Sequence, residues 1–214
     1  MNLYNKDYYE NGVELNISGY TNFQWMPTMT KAMCKTIIEH LDIKKKNTIL
    51  DFGCAKGFIV KAFCQLGYQA YGVDISEYAY SQRDKDVYDR IFHYSDTEAL
   101  KRILSTFDPF DFIISKDVFE HIPYEEIGSL LKTLSIFSHK IFAIVPLGDK
   151  GKYIIPDYEN DITHIIRENR EWWEQTFIDN GFELEKFDYL IPGIKDNWSE
   201  YKEGNGFFIL NSKI

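Results

Sequence analysis

The segment DFGCAKG, from Asp51 to Gly57, has the composition of a loop that brings the backbone close to a ligand. It lies between a short apolar run, Thr48–Phe52, that is typical of a buried strand and a run of helical character that begins at Phe58. Small residues let the chain turn sharply, and the free N–H groups at a helix start bind polar groups of nucleotide-like ligands. The loop alone does not identify the ligand, and a tight turn that binds nothing is the competing interpretation.

An acidic residue ends the next apolar segment. Asp74 follows YGV, twenty-one residues after Gly53, and a carboxylate there can accept hydrogen bonds from both hydroxyls of a ribose, as in dinucleotide-binding folds. The turn lacks the GxGxxG spacing of pyrophosphate-binding loops. Asp51 also precedes the first glycine by two positions. Because a carboxylate attracts a methionyl ammonium and repels a pyrophosphate, these residues favour a methionyl-bearing nucleoside over NAD.

Three motifs, ILDFGCAKGF, YGVDIS and FDFIISKDVFEHIP, resemble the successive motifs of the Rossmann-like, class I S-adenosylmethionine-dependent methyltransferases. The resemblance covers about residues 48 to 146. It implies an α/β fold: a seven-stranded, mostly parallel sheet with helices on both faces and a C-terminal antiparallel strand. It also implies S-adenosyl-L-methionine as cofactor, with S-adenosyl-L-homocysteine as product. The implied cofactor-binding residues are Asp51, Gly53, Cys54, Ala55, Gly57, Phe58, Asp74, Ile75, Asp96, Lys116 and Asp117.

Two histidines are candidates for the proton chemistry that a hydroxyl acceptor requires. His121 follows the fourth predicted strand, at the sheet edge where the cofactor is expected, and His164 lies in DITH, before the last predicted helix. Either histidine could be the base, or either could only fix its own segment. The three cysteines form no CxxC pair, and no metal site is expected.

Two segments are expected to form the acceptor pocket. The pattern DITH followed by REWW resembles methyltransferases of glycan and nucleotide-sugar pathways, which implies a sugar, a nucleotide sugar or another glycan precursor as acceptor. In the N-terminal segment GYTNFQW, aromatic faces could stack on a sugar ring. The alternative is that these aromatic groups only pack against the domain. The substrate-binding candidates are Tyr20, Asn22, Trp25, Arg167, Arg170 and Trp173.

Length and composition predict one globular domain over residues 1–214, with 1–45 as a helical lid segment and 147–175 as a substrate-lid insertion. The net charge of -9 disfavours a nucleic-acid partner, which a basic face would attract. No apolar run reaches the length of about 18 residues that a membrane span needs. The N-terminus lacks signal-peptide features, so a cytoplasmic location is expected. The sequence leaves the oligomeric state open.

Alternating strands and helices are predicted to position these residues. The predicted strands cover 48–52, 69–73, 90–94, 111–115, 140–145, 181–189 and 206–211, and the last two are expected to pair antiparallel. The predicted helices cover 58–66, 76–85, 125–137 and 169–180, with an earlier helix that Thr28 or Thr30 caps and that reaches Leu41.

O-methylation of a small molecule by in-line methyl transfer is the function that the sequence favours. An NAD-dependent oxidoreductase or epimerase is an alternative, although no YxxxK pair follows the fourth predicted strand. A catalytically inactive, cofactor-binding relative of the methyltransferases is another. N-methylation also stays open, and it depends less on a general base than O-methylation does.

Overall fold

The computed structural model describes residues 3–213. At its centre is a seven-stranded sheet formed by β1 (Thr48–Phe52), β2 (Gln69–Asp74), β3 (Ile91–His93), β4 (Phe110–Lys116), β5 (Ser138–Pro146), β6 (Phe182–Asp188) and β7 (Asn205–Ser212). The strand order is β3-β2-β1-β4-β5-β7-β6. Neighbouring strands from β3 to β5 pair in parallel, whereas β7 runs antiparallel to both β5 and β6. The predicted fold class is confirmed.

Eight α-helices accompany the sheet in the described part of the chain: α1 (Lys6–Glu10), α2 (Gly12–Leu15), α3 (Pro27–His40), α4 (Phe58–Gln65), α5 (Glu77–Ser81), α6 (Thr97–Leu104), α7 (Tyr124–Ile136) and α8 (Arg170–Asp179). A small hairpin pairs Gly148–Asp149 with Lys152–Tyr153. Short 3-10 turns cover Lys85–Arg90, Phe119–His121, Pro156–Asn160 and Asp196–Trp198. Of the helices in residues 3–213, none combines the length and the apolar character that crossing a membrane requires.

Different helices cover the two faces of the sheet, because successive strand side chains point to opposite sides. In β1, Leu50 and Phe52 join the core cluster that α6, α7 and α8 complete, whereas Ile49 joins the cluster that α3 and α4 complete. Parallel strands that are buried on both faces read as nearly continuous apolar runs, which is why the sequence identified β1, β4 and β5.

Several local predictions differ from the structure. Helix α3 begins with Pro27, and no side chain caps it, so neither Thr28 nor Thr30 has the predicted role. Proline suits this first position because its missing N–H has no helical partner there. Helix α5 already ends at Ser81. The sequence interpretation missed α6, which Asp96 caps, and within the N-terminal lid segment it did not place α1 and α2.

Candidate active site

A cavity of about 720 Å³ lies at the carboxyl ends of β1, β2 and β4. This volume falls within the roughly 300–1,000 Å³ that is common for ligand pockets. Its walls come from the loops after these strands, from the N-terminal segment 4–33 and from the loop 193–198. The predicted site residues that line the cavity are Asp51, Gly53, Cys54, Ala55, Phe58, Asp74, Ile75, Lys116, Asp117, His121, Tyr20 and Asn22.

The glycine loop connects the carboxyl end of β1 to the start of α4. Gly53 has φ +80°, and a Cβ there would lie 2.4 Å from Cγ2 of Val118, so only glycine fits both the conformation and the space. Gly57 also has a left-handed conformation, with φ +81°. A Cβ at Gly57 would lie 2.8 Å from Cδ1 of Ile91, and the residue does not line the cavity. Gly57 therefore packs the start of α4, and the structure does not bring it to the predicted cofactor contact.

Asp74 ties two loops together at the end of β2. Its carboxylate accepts hydrogen bonds from the backbone N–H of Ala55 at 2.6 Å and of Ser76 at 2.7 Å. The side chain is buried, which raises the pKa of Asp74, although the backbone hydrogen bonds oppose that shift. A carboxylate has about four acceptor positions, so Asp74 retains capacity for ligand hydroxyls.

Asp51 is a buried carboxylate whose hydrogen bonding is incomplete. It is 2% exposed, and its Oδ2 has no hydrogen-bond partner among the described residues. Burial first, and then the charge of Asp74, raise the pKa of Asp51 to about 8, while Lys116 acts in the opposite direction. Because an unpaired buried carboxylate is costly, a ligand cation in this cavity would stabilise the ionised form.

Two lysines hold Asp117, which follows β4 with a left-handed φ of 56°. Its carboxylate contacts Lys116 and Lys195, and Lys195 also donates to Oδ1 of Asn205 at 2.8 Å. Burial opposes ionisation of Asp117, but the two ammonium groups outweigh it and keep the pKa of Asp117 below its ordinary value. Sequence reasoning missed Lys195, since the loop between β6 and β7 carries no local signal that it reaches this site.

His121 belongs to a hydrogen-bonded chain from three segments. Its Nδ1 lies 2.8 Å from Oγ1 of Thr163, which donates to Oδ1 of Asp161 at 2.6 Å. Asp161 also accepts a hydrogen bond from the Tyr8 hydroxyl at 2.9 Å. Since the Thr163 proton points to Asp161, the Thr163 oxygen accepts the Nδ1 proton of His121, and Nε2 of His121 keeps its lone pair.

The electrostatics of His121 favour the neutral imidazole. Burial, and then the neighbouring His164, lower the pKa of His121 to about 4, against the opposing effect of Asp161. His164 packs with its ring centroid 4.6 Å from that of His121, and its Nδ1 lies 2.7 Å from the carbonyl oxygen of Tyr158. His164 does not line the cavity. Of the two predicted bases, the structure brings only His121 to the cavity wall.

Two predicted residues of the first half of the chain also lie outside the cavity lining. Asp96 accepts a hydrogen bond from Ala99 N at 2.8 Å and thereby caps α6. Trp25 packs against Phe58, with ring centroids 5.9 Å apart, and beneath the ammonium of Lys61. The structure therefore gives Asp96 a helix-capping contact and Trp25 a packing contact.

The predicted substrate residues around α8 have other partners. Arg167 pairs with Glu159 at 2.9 Å, and Arg170 with Glu174 at 3.4 Å. Trp173 is fully buried in the hydrophobic core. None of the three substrate candidates in this stretch lines the cavity. For Trp173 the reason is the helical face, because this side of α8 packs into the core, whereas Arg167 precedes α8 and pairs with Glu159 in its own segment.

The N-terminal segment is anchored directly onto the glycine loop. Lys56 donates to Oε1 of Glu10 at 2.6 Å and to the carbonyl oxygen of Phe23 at 2.8 Å. The hydroxyl of Ser76 donates to the carbonyl oxygen of Tyr4 at 2.6 Å. Through these contacts the segment forms one wall of the cavity, opposite the strand ends.

The family model described as "Methyltransferase domain" matches residues 27–186, which is most of the chain. A comparison with curated proteins found no match.

Three solved structures illustrate the fold similarity. An S-adenosylmethionine-dependent methyltransferase from Archaeoglobus fulgidus is 17% identical, with a TM-score of 0.64 over 86% of this chain and 94% of that one. Magnesium protoporphyrin IX methyltransferase from Synechocystis, with bound S-adenosylmethionine, is 14% identical, with a TM-score of 0.55 over 86% and 80%. The 1,6-didemethyltoxoflavin-N1-methyltransferase from Burkholderia thailandensis, with its substrate and S-adenosylhomocysteine, is 12% identical, with a TM-score of 0.59 over 88% and 80%. At these identities the similarity concerns the fold.

Proposed function

The chain belongs to the methyltransferase domain family, and we propose that it transfers a methyl group to a hydroxyl of a small molecule, namely a sugar, a nucleotide sugar or another glycan precursor. One arrangement carries the proposal. Asp51 and Asp74 are both buried near the carboxyl ends of the adjacent strands β1 and β2, and they line the same cavity as His121. With the family established, the alternative of an NAD-dependent oxidoreductase is set aside.

S-adenosylmethionine is the cofactor, and the residues of the cavity fit it. The partnerless Oδ2 of Asp51 suits the methionyl ammonium. The remaining acceptor positions of Asp74 suit the ribose hydroxyls. Gly53 lets the backbone approach the ligand where any side chain would meet Val118. When bound, this cofactor supplies an electrophilic methyl group on a sulfonium centre.

His121 serves as the general base that takes the proton from the hydroxyl group of the methyl acceptor. Its lowered pKa keeps the imidazole neutral at pH 7, and the contact with Thr163 leaves Nε2 free to accept. General-base assistance of this kind contributes about 10²- to 10⁴-fold to a rate. Most of the remaining gain comes from alignment of the acceptor with the methyl group.

The aromatic lining supports a sugar-like acceptor. Tyr20, Tyr158 and Trp198 line the cavity, and Asn22 adds an amide to the same wall. Flat aromatic faces pack against the apolar faces of sugar rings, while amide groups hydrogen-bond their hydroxyls.

The proposal is tested with the full chain in two steps. Calorimetric titration should show binding of S-adenosylhomocysteine and not of NAD. A panel of sugars and nucleotide sugars with S-adenosylmethionine should then give a product that is heavier by one methylene in mass spectrometry. His121→Gln should lose at least about 100-fold in turnover with unchanged S-adenosylhomocysteine binding. His139→Gln, on an exposed histidine of β5, is the matched control and should keep full turnover. Selective NAD binding, or an unimpaired His121→Gln, would refute the proposal.

A further inference from the structure

A second buried carboxylate next to the cavity has no part in this chemistry. Glu120 directly precedes His121 in the 3-10 turn Phe119–His121 and is 0% exposed. Neither of its carboxylate oxygens accepts a hydrogen bond from another residue in the described chain. An unsatisfied buried carboxylate is costly and therefore requires an explanation.

Two imidazoles lie beside this carboxylate. Nε2 of His164 is 4.0 Å from Oε1 of Glu120, and one ligand atom each of Glu120, His121 and His164 lie within 4.8 Å of one another. Ligand atoms that share one tetrahedral cation at about 2.1 Å are about 3.4 Å apart. The three groups would therefore have to approach one another by up to about 1.4 Å to bind one ion.

The outer contacts determine which nitrogen of each imidazole ring carries the proton. Nδ1 of His164 faces the carbonyl oxygen of Tyr158 at 2.7 Å and so carries the proton, which leaves Nε2 with its lone pair on the side of Glu120. The contact of His121 with Thr163 fixes the same tautomer. Histidine ligands characteristically donate their other N–H to a carbonyl or to a carboxylate-linked group in this way.

We propose that Glu120, His121 and His164 bind one divalent transition-metal cation at the wall of the cavity. Two imidazole nitrogens and a carboxylate suit zinc, manganese, cobalt or nickel, whereas magnesium prefers an all-oxygen set. The nearby carboxylate of Asp161 adds negative charge that attracts a cation, whereas the carboxylate of Asp117 is already paired with Lys116 and Lys195. The sequence interpretation expected no metal, because the signal consists of residues that only the fold brings together.

The consequence for catalysis rests on the proposed function. A divalent cation lowers the pKa of an oxygen ligand that it binds. His121 lines the cavity, so an acceptor hydroxyl that reaches the cation there would lose its proton more readily. His121 would then act as a metal ligand, so its Nε2 would bind the cation and not the proton, and the hydroxyl proton would pass to solvent in the cavity.

Metal binding by the full chain tests this inference without any methyl acceptor. The protein is stripped with a chelator, and Zn²⁺ is then titrated in competition with a chromophoric chelator. The wild type should bind one equivalent of Zn²⁺ and should bind Mg²⁺ far more weakly. Glu120→Gln and His164→Gln should each weaken Zn²⁺ binding by at least about 10- to 100-fold. His139→Gln, which removes an exposed imidazole, should bind Zn²⁺ like the wild type.

X-ray absorption of the zinc-loaded wild type keeps the inference testable if the variants fail to fold. The expected coordination shell contains two imidazoles and a carboxylate oxygen. The inference is overturned if the wild type binds no stoichiometric Zn²⁺, if both variants bind as tightly as the wild type, or if the shell lacks imidazole. S-adenosylhomocysteine titration separates the two proposals. A protein that binds S-adenosylhomocysteine but fails to bind Zn²⁺ overturns only the metal site. A protein that binds Zn²⁺ but fails to bind S-adenosylhomocysteine overturns only the cofactor assignment.

Discussion

Nδ1 of His121 and Oγ1 of Thr163 lie 2.8 Å apart although 42 residues separate them in the chain. The contact joins the two motifs, EHIP and DITH, that sequence analysis treated as rival sources of a base. Ile165 N and Ile166 N strengthen the junction by donating to the carbonyl oxygen of Glu120 at 2.8 and 2.9 Å. The two motifs therefore form one unit, in which the DITH segment orients His121.

Thr163→Val removes the hydroxyl that orients His121 and leaves a side chain of similar size. We expect turnover to fall about 10- to 100-fold, as for other outer contacts of functional histidines, while the dissociation constant of S-adenosylhomocysteine stays unchanged. Steady-state kinetics and calorimetry measure the two quantities. Thr163→Ser keeps the hydroxyl and is the matched control. Equal activity of the Val and Ser variants would contradict the orienting role.

Asp51→Asn should weaken binding of the methionyl part of the cofactor alone. Charged hydrogen bonds contribute about 1.5–3 kcal/mol, so we expect S-adenosylhomocysteine to bind about 10- to 100-fold more weakly. Methylthioadenosine, which has the ribose and the adenine but no ammonium, should bind as it does to the wild type. Asp74→Asn should weaken the binding of both S-adenosylhomocysteine and methylthioadenosine. Calorimetric titration of each ligand distinguishes these patterns.

A matched control for the carboxylate variants is Asp96→Asn. Asp96 is exposed and caps α6 outside the cavity, and asparagine is an equally good helix cap. Donor binding and the free energy of unfolding should therefore both stay at wild-type values. Weakened donor binding by Asp96→Asn would instead support the cofactor contact that the family resemblance implied for this residue.

The sequence predicted what depends on local pattern. Continuous apolar runs identified the central strands, and the positions of Gly53 and Asp74 at strand ends identified one edge of the sheet, because parallel strands bring their carboxyl ends together. Asp96 shows the limit of such reasoning. An acidic residue after a weak strand has two physical uses, ligand contact and helix capping, and the motif could not show that Leu100 and Leu104 bury the helix that follows.

Other features could not be read from the sequence because they depend on distant contacts. Helices α1 and α2 are too short to be stable alone, and the Lys56–Glu10 ion pair and neighbouring aromatic groups hold their segment in place. Lys195 reaches Asp117 across 78 residues of chain. Trp173 and Arg170 are close in sequence, but helical geometry turns Trp173 into the core.

Cofactor binding should depend on pH through Asp51. Its pKa of about 8 in the free protein, raised by burial, means that the ammonium of S-adenosylhomocysteine must displace a proton below that pH. We expect the dissociation constant to fall about tenfold per pH unit from pH 6 to 7.5 and then to level off. Titrations in two buffers of different ionisation enthalpy measure the released proton. Asp51→Asn should abolish both effects, and a pH-independent wild type would contradict the assignment.

The carboxyl group of Asp51 should also make the stability of the cofactor-free protein depend on pH. Its contribution to stability should decrease as the pH rises, whereas cofactor binding should strengthen. Because the pKa of about 8 in the folded protein exceeds the ordinary aspartate value of about 3.8, the folded cofactor-free protein binds the extra proton. The contribution of Asp51 to stability is therefore fully present below about pH 4 and is lost as the pH rises through about 8. Urea unfolding of wild type and Asp51→Asn should show a difference that changes in this window. A difference that is constant with pH would count against the raised pKa.

Gly53→Ala should destabilise the protein in a way that Val118→Ala partly reverses. The left-handed conformation costs an alanine about 1–2 kcal/mol, and the new Cβ would lie 2.4 and 2.9 Å from the two methyl groups of Val118. Truncation of Val118 removes both methyl groups and leaves its Cβ at 3.2 Å. Urea unfolding of the wild type, both single variants and the double variant should give a favourable coupling of about 0.5–3 kcal/mol. If the effects of the two substitutions on the free energy of unfolding were strictly additive, contact with Val118 would not be the reason that position 53 requires glycine.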